Sequence, residues 1–475
     1  MQDLVFNPYL PFWEYVPDGE PHVFGDRLYV YGSHDRRDGA SYCQEDYVVW
    51  SAPVNDLSQW RCEGVSYHRT DDPRHAATGG ADLMAPDVAQ GPDGRYYLYY
   101  CDDMTAIGVA VSDVPEGPFA YLDIVRTAGG EPLADGSPFD PGVLVDEGRV
   151  WLYWGFDPSK FLGEEAVDRS GAFVVELEAD MHTCKGSPVK IAPGYVESKG
   201  TSFEGHAFFE ASSPRRIGDR YYFVYSSELG HELCYATAPA PTGPFAFGGT
   251  IVSIADVGYR GNTVEQAYPA NTHGGLVCVG GQWYVFYHRH THKRQYSRQG
   301  CAERIEIERD GSIPQVEMTS CGLNGGPLPT GAVYPAHIAC GIRGPEGVVH
   351  ISTHRHRRPS DPYLVQEGDR ETGSMVAANL QDGAELTFKY FAFTGAERAC
   401  AITARGSFEG TVEVLSITPA GEVARIGEVA VGPAEQWQSQ AGSIEIPAAM
   451  LGVRLVPRGT GALDVRDIYL GVDQL

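Results

Sequence analysis

Five stretches of the chain share one pattern, a turn signal followed by a run of aromatic and β-branched residues. Read from their turns, they are GDRLYVYGS, DGRYYLYY, EGRVWLYWG, GDRYYFVYSS and GGQWYVFYHR. Their equivalent positions are Arg27, Arg95, Arg149, Arg220 and Gln282, separated by 68, 54, 71 and 62 residues. Turn-plus-strand pieces of this kind are typical of β-hairpins. The spacing leaves room for about four short strands per repeat, which is the content of a propeller blade. The pattern therefore predicts a five-bladed β-propeller.

One ionisable residue precedes each of these five anchor positions by eight to ten residues. The five are Asp18, Asp87, Asp140, Glu210 and His273. Each lies near the start of the strand before its hairpin, and the first strands of propeller blades line the central axis. We therefore expect the five side chains to converge. A single Asp beside Pro or Gly commonly caps a turn, but a register shared by five repeats favours a common site.

The pattern changes after the last repeat. Residues 301–318 alternate around a turn and predict a final hairpin, and a Gly- and Pro-rich stretch follows. Short alternating runs then continue to the end of the chain: VVHIST, ELTFKYFAF, ACAITARG, TVEVLSI, GVRLVP and LDVRDIYL. Their length and spacing predict an antiparallel, jelly-roll-like β-sandwich. We expect an all-β protein with the propeller over 1–322, a linker over 323–347 and the sandwich over 348–475.

Charge and composition narrow the classes of partner. The formal net charge is −27, whereas nucleic acids and anionic membrane surfaces attract basic proteins. No run approaches the 18 apolar residues of a membrane-spanning helix, and the phosphate-binding pattern GxxxxGK[ST] is absent. We expect no nucleic-acid partner and no membrane partner.

The cysteines and the first residues of the chain indicate the cellular compartment. Ten cysteines are scattered along the chain without a CxxC pair or a Cys/His cluster of zinc spacing. The opening MQDLVFNPYLPFWEY has neither the basic nor the apolar region of a signal peptide. We therefore expect a cytoplasmic protein whose thiols are reduced.

Carboxylates and a histidine on one axis admit two kinds of chemistry, metal binding or acid–base catalysis. The chain has no DxDxDG loop and no HExxH motif. Glycosidic hydrolysis needs a proton donor and a second carboxylate, and in inverting enzymes the two lie about 6.5–9.5 Å apart. Glu210, flanked by Phe208 and Phe209, is the better donor because burial raises a carboxyl pKa. Asp18, in a predicted open turn, is the better base.

The sequence resembles glycoside hydrolase family 43 over residues 1 to about 322. The motifs that carry the resemblance are VPDGEPHVFGDRLYVYGSHD, LMAPDVAQGPDGRYYLYY, FDPGVLVDEGRVWLYWG, FFEASSPRRIGDRYYFVYSS and NTHGG…QWYVFYHRH. The resemblance implies the propeller fold and an inverting mechanism. It implies that Asp18 is the general base, Asp140 the carboxylate that orients the acid and tunes its pKa, and Glu210 the general acid. Glu20 remains an alternative base and Glu204 an alternative acid.

The resemblance also suggests roles for three other polar residues. His273 looks like the axial histidine of the family, which can hold water or a structural Ca²⁺ in the channel; a buried hydrogen-bonded histidine is the alternative. No other cofactor is expected. Arg298 resembles the arginine aimed at a sugar hydroxyl or at the acid, with a surface salt bridge as the alternative. Asp87 is expected either to contact the substrate or to have a structural role.

Four aromatic residues flank the catalytic positions: Trp13, Phe139, Trp154 and Phe156. They are candidates for an apolar wall against which a sugar ring stacks, although aromatic residues in propellers are more often part of the core.

The opening NPYLPFWEYVPDGEPHVFGDRLYVYGSHD looks closest to cytoplasmic β-xylosidases that also release α-L-arabinofuranose. We expect an exo-acting enzyme for small xylo- and arabinoxylo-oligosaccharides. The alternatives are a predominant α-L-arabinofuranosidase and a non-catalytic propeller that binds a sugar or a protein. The sandwich loosely resembles carbohydrate-binding module family 6, with Tyr390 and Trp437 as candidate binding residues. We favour a role in packing, at the pocket rim or in a homo-oligomer.

Overall fold

The computed structural model describes residues 5–102, 104–348 and 357–473. In the described residues up to Ile305, 19 strands form the propeller. Blades one and two contain β1 (Glu20–Phe24), β2 (Arg27–Tyr31), β3 (Tyr47–Pro53), β4 (Arg61–Tyr67), β5 (Met84–Gln90), β6 (Tyr96–Cys101), β7 (Ile107–Ser112) and β8 (Ala120–Ile124). Blades three to five contain β9 (Gly142–Asp146), β10 (Arg149–Phe156), β11 (Gly171–Leu177), β12 (Val189–Ala192), β13 (Phe208–Ile217), β14 (Arg220–Ser227), β15 (Glu232–Ala238), β16 (Ala246–Ser253), β17 (Leu276–Val279), β18 (Gln282–His290) and β19 (Arg298–Ile305). Neighbouring strands of a blade are antiparallel and follow chain order. The predicted five-bladed propeller is confirmed.

The N-terminal segment closes the ring on the fifth blade, which has only three named strands. The backbone N–H of Tyr9 donates to the carbonyl of Gly300 over 3.1 Å. The side-chain amide of Asn7 exchanges two hydrogen bonds with the backbone of Ala302. This segment therefore covers the edge of β19, which would otherwise expose unpaired backbone groups.

Both faces of the inner blade strands are buried, which explains their unbroken apolar runs. In β10, Leu152 and Trp154 belong to the cluster shared with blade two, and Trp151 and Tyr153 to the cluster shared with blade four. Successive side chains of a strand point to opposite faces, so each strand fills two blade interfaces.

Two six-stranded sheets form the C-terminal sandwich. Their strands are β20 (Leu328–Pro329), β21 (Val333–Pro335), β22 (Gly341–Arg343), β23 (Tyr363–Glu367), β24 (Ser374–Leu380), β25 (Glu385–Phe393), β26 (Ala399–Gly406), β27 (Glu409–Ile417), β28 (Val423–Val431), β29 (Ala434–Ser443), β30 (Ala449–Thr460) and β31 (Leu463–Gly471). One sheet has the order β20-β25-β30-β27-β28 with β22 on β25, and the other β23-β24-β31-β26-β29 with β21 on β31. A single apolar core lies between them. The predicted sandwich is confirmed; of the runs that predicted it, VVHIST lies outside the described residues except for its first position.

The stretch predicted as a linker, 323–347, packs as part of the sandwich. Its three short strands pair with β25 and β31. Leu328, Tyr334 and Ile342 are buried in the sandwich core. Its Gly- and Pro-rich composition therefore reflects short strands joined by turns and not a free connector.

Helical structure in the described residues is short. There is one α-helix, α1 (Ser159–Leu162), and there are five 3₁₀ segments: Ala76–Thr78, Gly163–Arg169, Tyr259–Gly261, Gly322–Asn324 and Ala336–Ile338. Among the described residues, no helix has the length and apolar character needed to cross a membrane.

The sandwich is joined to the propeller by polar contacts. The ammonium of Lys389 lies 3.0 Å from the carboxylate of Asp256 and 2.8 Å from that of Glu317. On another part of the interface, the hydroxyl of Tyr15 donates to Gln366 over 2.9 Å. Both contacts are largely buried, so the two domains share an interface and not merely a tether.

Candidate active site

All five blades contribute to one pocket at the end of the propeller channel. Its wall consists of Asp18, Tyr42, Cys43, Met84, Ala85, Phe139, Asp140, Glu210, Asn271, His273 and Arg298. The structure thus brings together four of the five ionisable residues that the repeat pattern singled out, as well as the predicted Arg298.

Strand register explains why these side chains share one level. Asp18 and Asp140 each lie two residues before the first strand of their blade, and His273 lies three before its own. Glu210 belongs to β13 and pairs with Ser226, near the end of the neighbouring strand. The four groups therefore occupy the channel end of their blades.

The backbone at this level is held in a conformation that is uncommon for residues other than glycine. The φ angles are 56° at Asp18, 45° at Asp140, 34° at Ala85 and 57° at Cys43, and Ala211 next to Glu210 has φ 73°. Left-handed backbone of this kind is concentrated at functional sites, where the surrounding structure holds it. The sheets thus impose the orientation of the pocket side chains.

Asp87 lies one level deeper than the pattern suggested. Ala85 takes its place in the pocket wall. Asp87 pairs with Tyr99, four residues after Arg95, just as Glu20 pairs with Tyr31, four residues after Arg27. Asp87 is therefore level with Glu20. A carboxylate oxygen of Asp87 accepts the backbone N–H of Val143 over 2.7 Å, and the other lies 2.6 Å from Nε2 of His22. Asp87 therefore joins three blades below the pocket, which supports the structural alternative.

The carboxylate of Asp18 is held as an anion. Its Oδ1 accepts from Nη1 of Arg298 over 2.9 Å, and its Oδ2 accepts from the hydroxyl of Ser33 over 2.6 Å. Burial alone would raise the pKa of Asp18, but the charge of Arg298, with help from His288 and His273, outweighs it and lowers the pKa well below its ordinary value of 3.8. Asp18 is therefore ionised at neutral pH, as a general base must be.

Arg298 is buried, with its side chain only 3% exposed. The alternative of a surface salt bridge therefore does not apply. Its guanidinium also lies over the ring of Tyr42, 4.7 Å from the centroid.

Asp140 lies between His273 and the backbone beside Glu210. Its Oδ2 accepts the backbone N–H of Ala211 over 3.0 Å and lies 3.5 Å from Nδ1 of His273. Burial raises the pKa of Asp140, although His273 opposes this. For His273, burial lowers the pKa, but Asp140 and Glu20 raise it well above 6.5. The imidazole is therefore a cation between two carboxylates.

Glu210 is the carboxyl group of the pocket whose surroundings favour the protonated form. Its carboxyl group is partly open to the pocket, and no hydrogen bond joins it to the residues that the structure describes. Burial, followed by the charge of Asp140, raises the pKa of Glu210 from 4.5 to about 8. Glu210 is therefore protonated at neutral pH, whereas Asp18 across the pocket is ionised. Opposite protonation states in two carboxyl groups are what an acid–base pair requires.

The structure places neither alternative carboxylate in the pocket. Glu204 is exposed, and its carboxylate accepts the backbone N–H of Gly200. Glu20 is buried below the pocket, where it accepts from Arg215 over 2.7 Å and from Ser213 over 3.0 Å. A carboxylate committed to a guanidinium in this way is a poor base.

The predicted aromatic wall is only partly formed. Phe139 lies in the pocket wall and packs edge-on against Phe156, with ring centroids 5.5 Å apart. Trp154 is fully buried, stacks on Phe173 and donates its indole N–H to the carbonyl of Asp135. It is a core residue because its side chain points into the interface between blades two and three.

Trp13 also lies outside the pocket wall. The guanidinium of Arg370 from the sandwich lies over its ring, 4.2 Å from the centroid. The ring of Trp13 also packs against that of Trp50, with centroids 6.0 Å apart. Trp13 therefore packs against other side chains of the protein and does not contribute to the pocket wall.

The sequence pattern did not single out Tyr42, Cys43 and Asn271. The first two belong to the loop between β2 and β3, where no periodicity marks a position. Asn271 was detectable, since it lies two residues before His273 in the NTHGG motif. Its Oδ1 is buried in the pocket region without a hydrogen-bond partner among the described residues. Asn271 is thus a residue of the pocket wall that holds an unsatisfied acceptor.

The residues around His273 bear on the predicted channel calcium. Nε2 of His273 and Oε1 of Glu20 are buried without hydrogen-bond partners, 3.6 Å apart. Calcium prefers six to eight oxygen ligands, whereas here a protonated imidazole and the guanidinium of Arg215 already balance the carboxylates. This donor set fits an ion pair better than a hard cation, and no step of the reaction is assigned to a metal.

The model of the family described as glycosyl hydrolases family 43 matches residues 16–313. A xylosidase/arabinosidase of Thermoclostridium stercorarium is 46% identical over 480 residues, covering 98% of this chain and 99% of that protein. Xylosidase/arabinosidase 43A of Humicola insolens is 32% identical over 58% of this chain and 88% of its own length.

Two solved structures extend the comparison. One is a β-xylosidase/α-arabinofuranosidase from a compost microbial metagenome, in complex with xylotriose and in a calcium-free form. It is 26% identical, with a TM-score of 0.51 over 66% of this chain and 97% of that chain. The other is an arabinoxylan arabinofuranohydrolase from Bacillus subtilis, 21% identical, with a TM-score of 0.52 over 98% of this chain and 97% of its own. The second likeness supports the fold of both domains.

Proposed function

The chain belongs to glycosyl hydrolase family 43 and is a glycoside hydrolase, and on that basis we propose an inverting, exo-acting enzyme that releases terminal xylose. Arabinofuranose is the second product, and the substrates are short xylo- and arabinoxylo-oligosaccharides. The observation that carries this proposal is the pocket in which an ionised Asp18 faces a protonated Glu210.

In the proposed reaction, Asp18 takes a proton from a water molecule as the water oxygen bonds to the anomeric carbon. The bond from that carbon to the leaving oxygen breaks, and Glu210 gives its proton to that oxygen. Attack from the face opposite the leaving group inverts the anomeric configuration. Asp18 then carries a proton and Glu210 a charge, and exchange with solvent restores both. Asp140 keeps Glu210 protonated before the reaction because its charge disfavours a second anion nearby.

The pocket wall supports attack at chain ends. Residues from all five blades and from the loop after β2 line the pocket around the catalytic groups. A pocket walled from every blade suits a terminal sugar, whereas cleavage within a chain needs a groove that is open at both ends. Xylopyranose and arabinofuranose present similarly placed hydroxyls, so one pocket accepts both, in keeping with the names of the relatives. A predominant arabinofuranosidase remains the second candidate.

The sandwich is proposed to pack against the propeller and not to bind sugar. Tyr390 is buried, and its hydroxyl donates to Glu317 of the propeller over 2.6 Å. The guanidinium groups of Arg405 and Arg466 lie over the ring of Trp437, at 4.3 and 5.3 Å from its centroid. Tyr390 therefore serves the domain interface, and Trp437 packs against two arginines of its own domain.

We also propose a cytoplasmic location, which the ten unpaired cysteines support. A homo-oligomer stays a prediction for which size-exclusion chromatography with light scattering is the measurement.

The test uses 4-nitrophenyl β-D-xyloside and 4-nitrophenyl α-L-arabinofuranoside with purified protein. We expect release of 4-nitrophenol from both, faster from the xyloside. No release of 4-nitrophenol from either substrate at micromolar protein would refute the proposal. Faster release from the arabinofuranoside than from the xyloside would favour the second candidate. Proton NMR of the first product, recorded before mutarotation, should show α-xylose from the β-xyloside. Early β-xylose would refute inversion.

A further inference from the structure

Arg298 is held from two sides by carboxylates. Asp35 accepts from its Nε over 2.9 Å, from its Nη2 over 3.0 Å and from its backbone N–H over 3.1 Å. The remaining nitrogen, Nη1, donates to Asp18 over 2.9 Å. A guanidinium is planar and rigid, so fixing two of its nitrogens fixes the direction of the third. Asp35 therefore determines where Arg298 meets Asp18.

Asp35 itself does not reach the pocket. Its side chain is fully buried, and it is not among the residues of the pocket wall. Its Oδ1 also accepts the backbone N–H of Cys43 over 3.0 Å. One buried carboxylate thus organises two parts of the wall, the arginine and the Tyr42–Cys43 turn.

The segment that carries Asp35 is anchored in the sandwich. The guanidinium of Arg37 donates to the carbonyls of Gln366 and Gly368, over 2.7 Å each. The backbone N–H of Asp35 donates to the carbonyl of Tyr15 over 2.9 Å, and the hydroxyl of Tyr15 in turn donates to Gln366. The sandwich therefore contacts the segment both directly and through Tyr15.

We propose that Asp35 is a positioning residue that aims Arg298 at Asp18, and that the sandwich domain keeps this arrangement in place through Arg37. The proposal rests on the proposed role of Asp18 as the base. Supporting residues of this kind typically change activity 10- to 100-fold when they are replaced, and a displacement of about 1 Å can cost about 100-fold. We expect kcat/KM of Asp35→Asn to fall 10- to 100-fold.

The pH profile separates positioning from a general loss of folded protein. Removing the negative charge of Asp35 would by itself favour the ionised form of Asp18 further. Loosening the contact with Arg298 acts in the opposite direction and raises the pKa of Asp18 towards its ordinary value. His288, whose Nδ1 lies 3.1 Å from Asp18, is unchanged in the variant, so a new acidic limb in kcat/KM of Asp35→Asn indicates the lost contact with Arg298. A smaller folded fraction would lower the whole profile without changing its shape.

A crystal structure of Asp35→Asn tests the geometry without reference to any reaction. We expect Nη1 of Arg298 to lie more than 3.5 Å from the Asp18 carboxylate. A guanidinium that stays on Asp18, with kcat/KM within threefold of the wild type, would overturn the proposal. If the wild type hydrolysed neither glycoside, the proposed function would fail, and the crystal structure would still decide whether Asp35 positions Arg298.

The role of the sandwich is tested with Arg37→Met, which alters an exposed side chain and leaves the fold intact. Its matched control is Arg260→Met, since Arg260 also donates across the domain interface, to the carbonyl of Pro419 far from the pocket. We expect kcat/KM to fall three- to tenfold in Arg37→Met with the same acidic limb, and to change less than twofold in Arg260→Met. Equal changes in the two variants would overturn the role assigned to the sandwich. If Asp35→Asn does not fold, Arg37→Met decides the proposal with the same measurements.

Discussion

Replacing Asp140 by Asn should move the alkaline limb of the pH profile to lower pH. Glu210 has to be protonated to act as the acid, and burial together with the charge of Asp140 raises its pKa to about 8. The free enzyme should therefore lose kcat/KM as the pH rises through about 8. An amide at position 140 removes the charge, and its oxygen can still accept the backbone N–H of Ala211.

The size of the shift follows from Coulomb's law. Two unit charges about 5 to 10 Å apart interact by about 2 to 3 kcal/mol at an effective dielectric constant of about 20. One pKa unit corresponds to about 1.4 kcal/mol, so removing the charge of Asp140 should lower the pKa of Glu210 by about one to two units. Burial, the larger cause, stays in place, and His273 is expected to stay protonated because Glu20 still faces it. The alkaline limb of Asp140→Asn should therefore lie at about pH 6 to 7.

The assay measures kcat/KM on 4-nitrophenyl β-D-xyloside from pH 4 to 10, with each sample stopped in carbonate before the phenolate is read. The matched control is Asp87→Asn, which neutralises a buried carboxylate one level below the pocket. In Asp87→Asn, the alkaline limb of kcat/KM should stay near pH 8 even if the folded fraction of the protein falls. An Asp140→Asn limb that stays near 8 or rises would refute the electrostatic account of Glu210.

Three further predictions follow from the same pocket. In Glu210→Gln, kcat should fall at least 1,000-fold on xylobiose but far less on activated aryl xylosides, because these need no proton at the leaving oxygen. The control Glu204→Gln should match the wild type on both substrates. Equal losses of Glu210→Gln on the two substrates would contradict the acid role. Asn271→Ala should raise KM for xylosides about tenfold, the effect of one lost hydrogen bond of about 1.4 kcal/mol, and an unchanged KM would show that no sugar hydroxyl uses its free oxygen. Activity and Tm should stay the same after dialysis against EDTA, and a loss that calcium restores would establish a metal in the channel.

Much of the fold was predictable because its signals are local. The five hairpins carry turn residues next to aromatic runs, and the structure has each of them as the first two strands of a blade. Asp18, Asp140, Glu210 and His273 were found by counting back from those hairpins, since antiparallel pairing converts a sequence interval into a level in the channel.

Counting failed at Asp87 because the turn of the second hairpin is longer than that of the first. Five residues separate Gln90 from its partner Tyr96, whereas two separate Phe24 from its partner Arg27. Asp87, eight residues before Arg95, therefore has the register of Glu20, and Ala85 is left in the pocket wall.

Trp154 was misplaced for a different reason. Both faces of β10 are buried, so alternation along the strand does not say which aromatic residue faces the channel. The Arg298–Asp35 contact joins positions 263 residues apart, and no periodicity in the sequence reveals such a pair.

The way the ring closes has a consequence for biosynthesis. The N-terminal segment that completes the fifth blade leads, nine residues after Tyr9, into Asp18. The segment has no partner strand until the ribosome has made β19, about 280 residues later, and Arg298 at the start of that strand is the group that keeps Asp18 ionised. We therefore expect a nascent chain to be inert towards sugars until its N-terminal segment meets β19, so that hydrolysis reports that the last blade has been assembled.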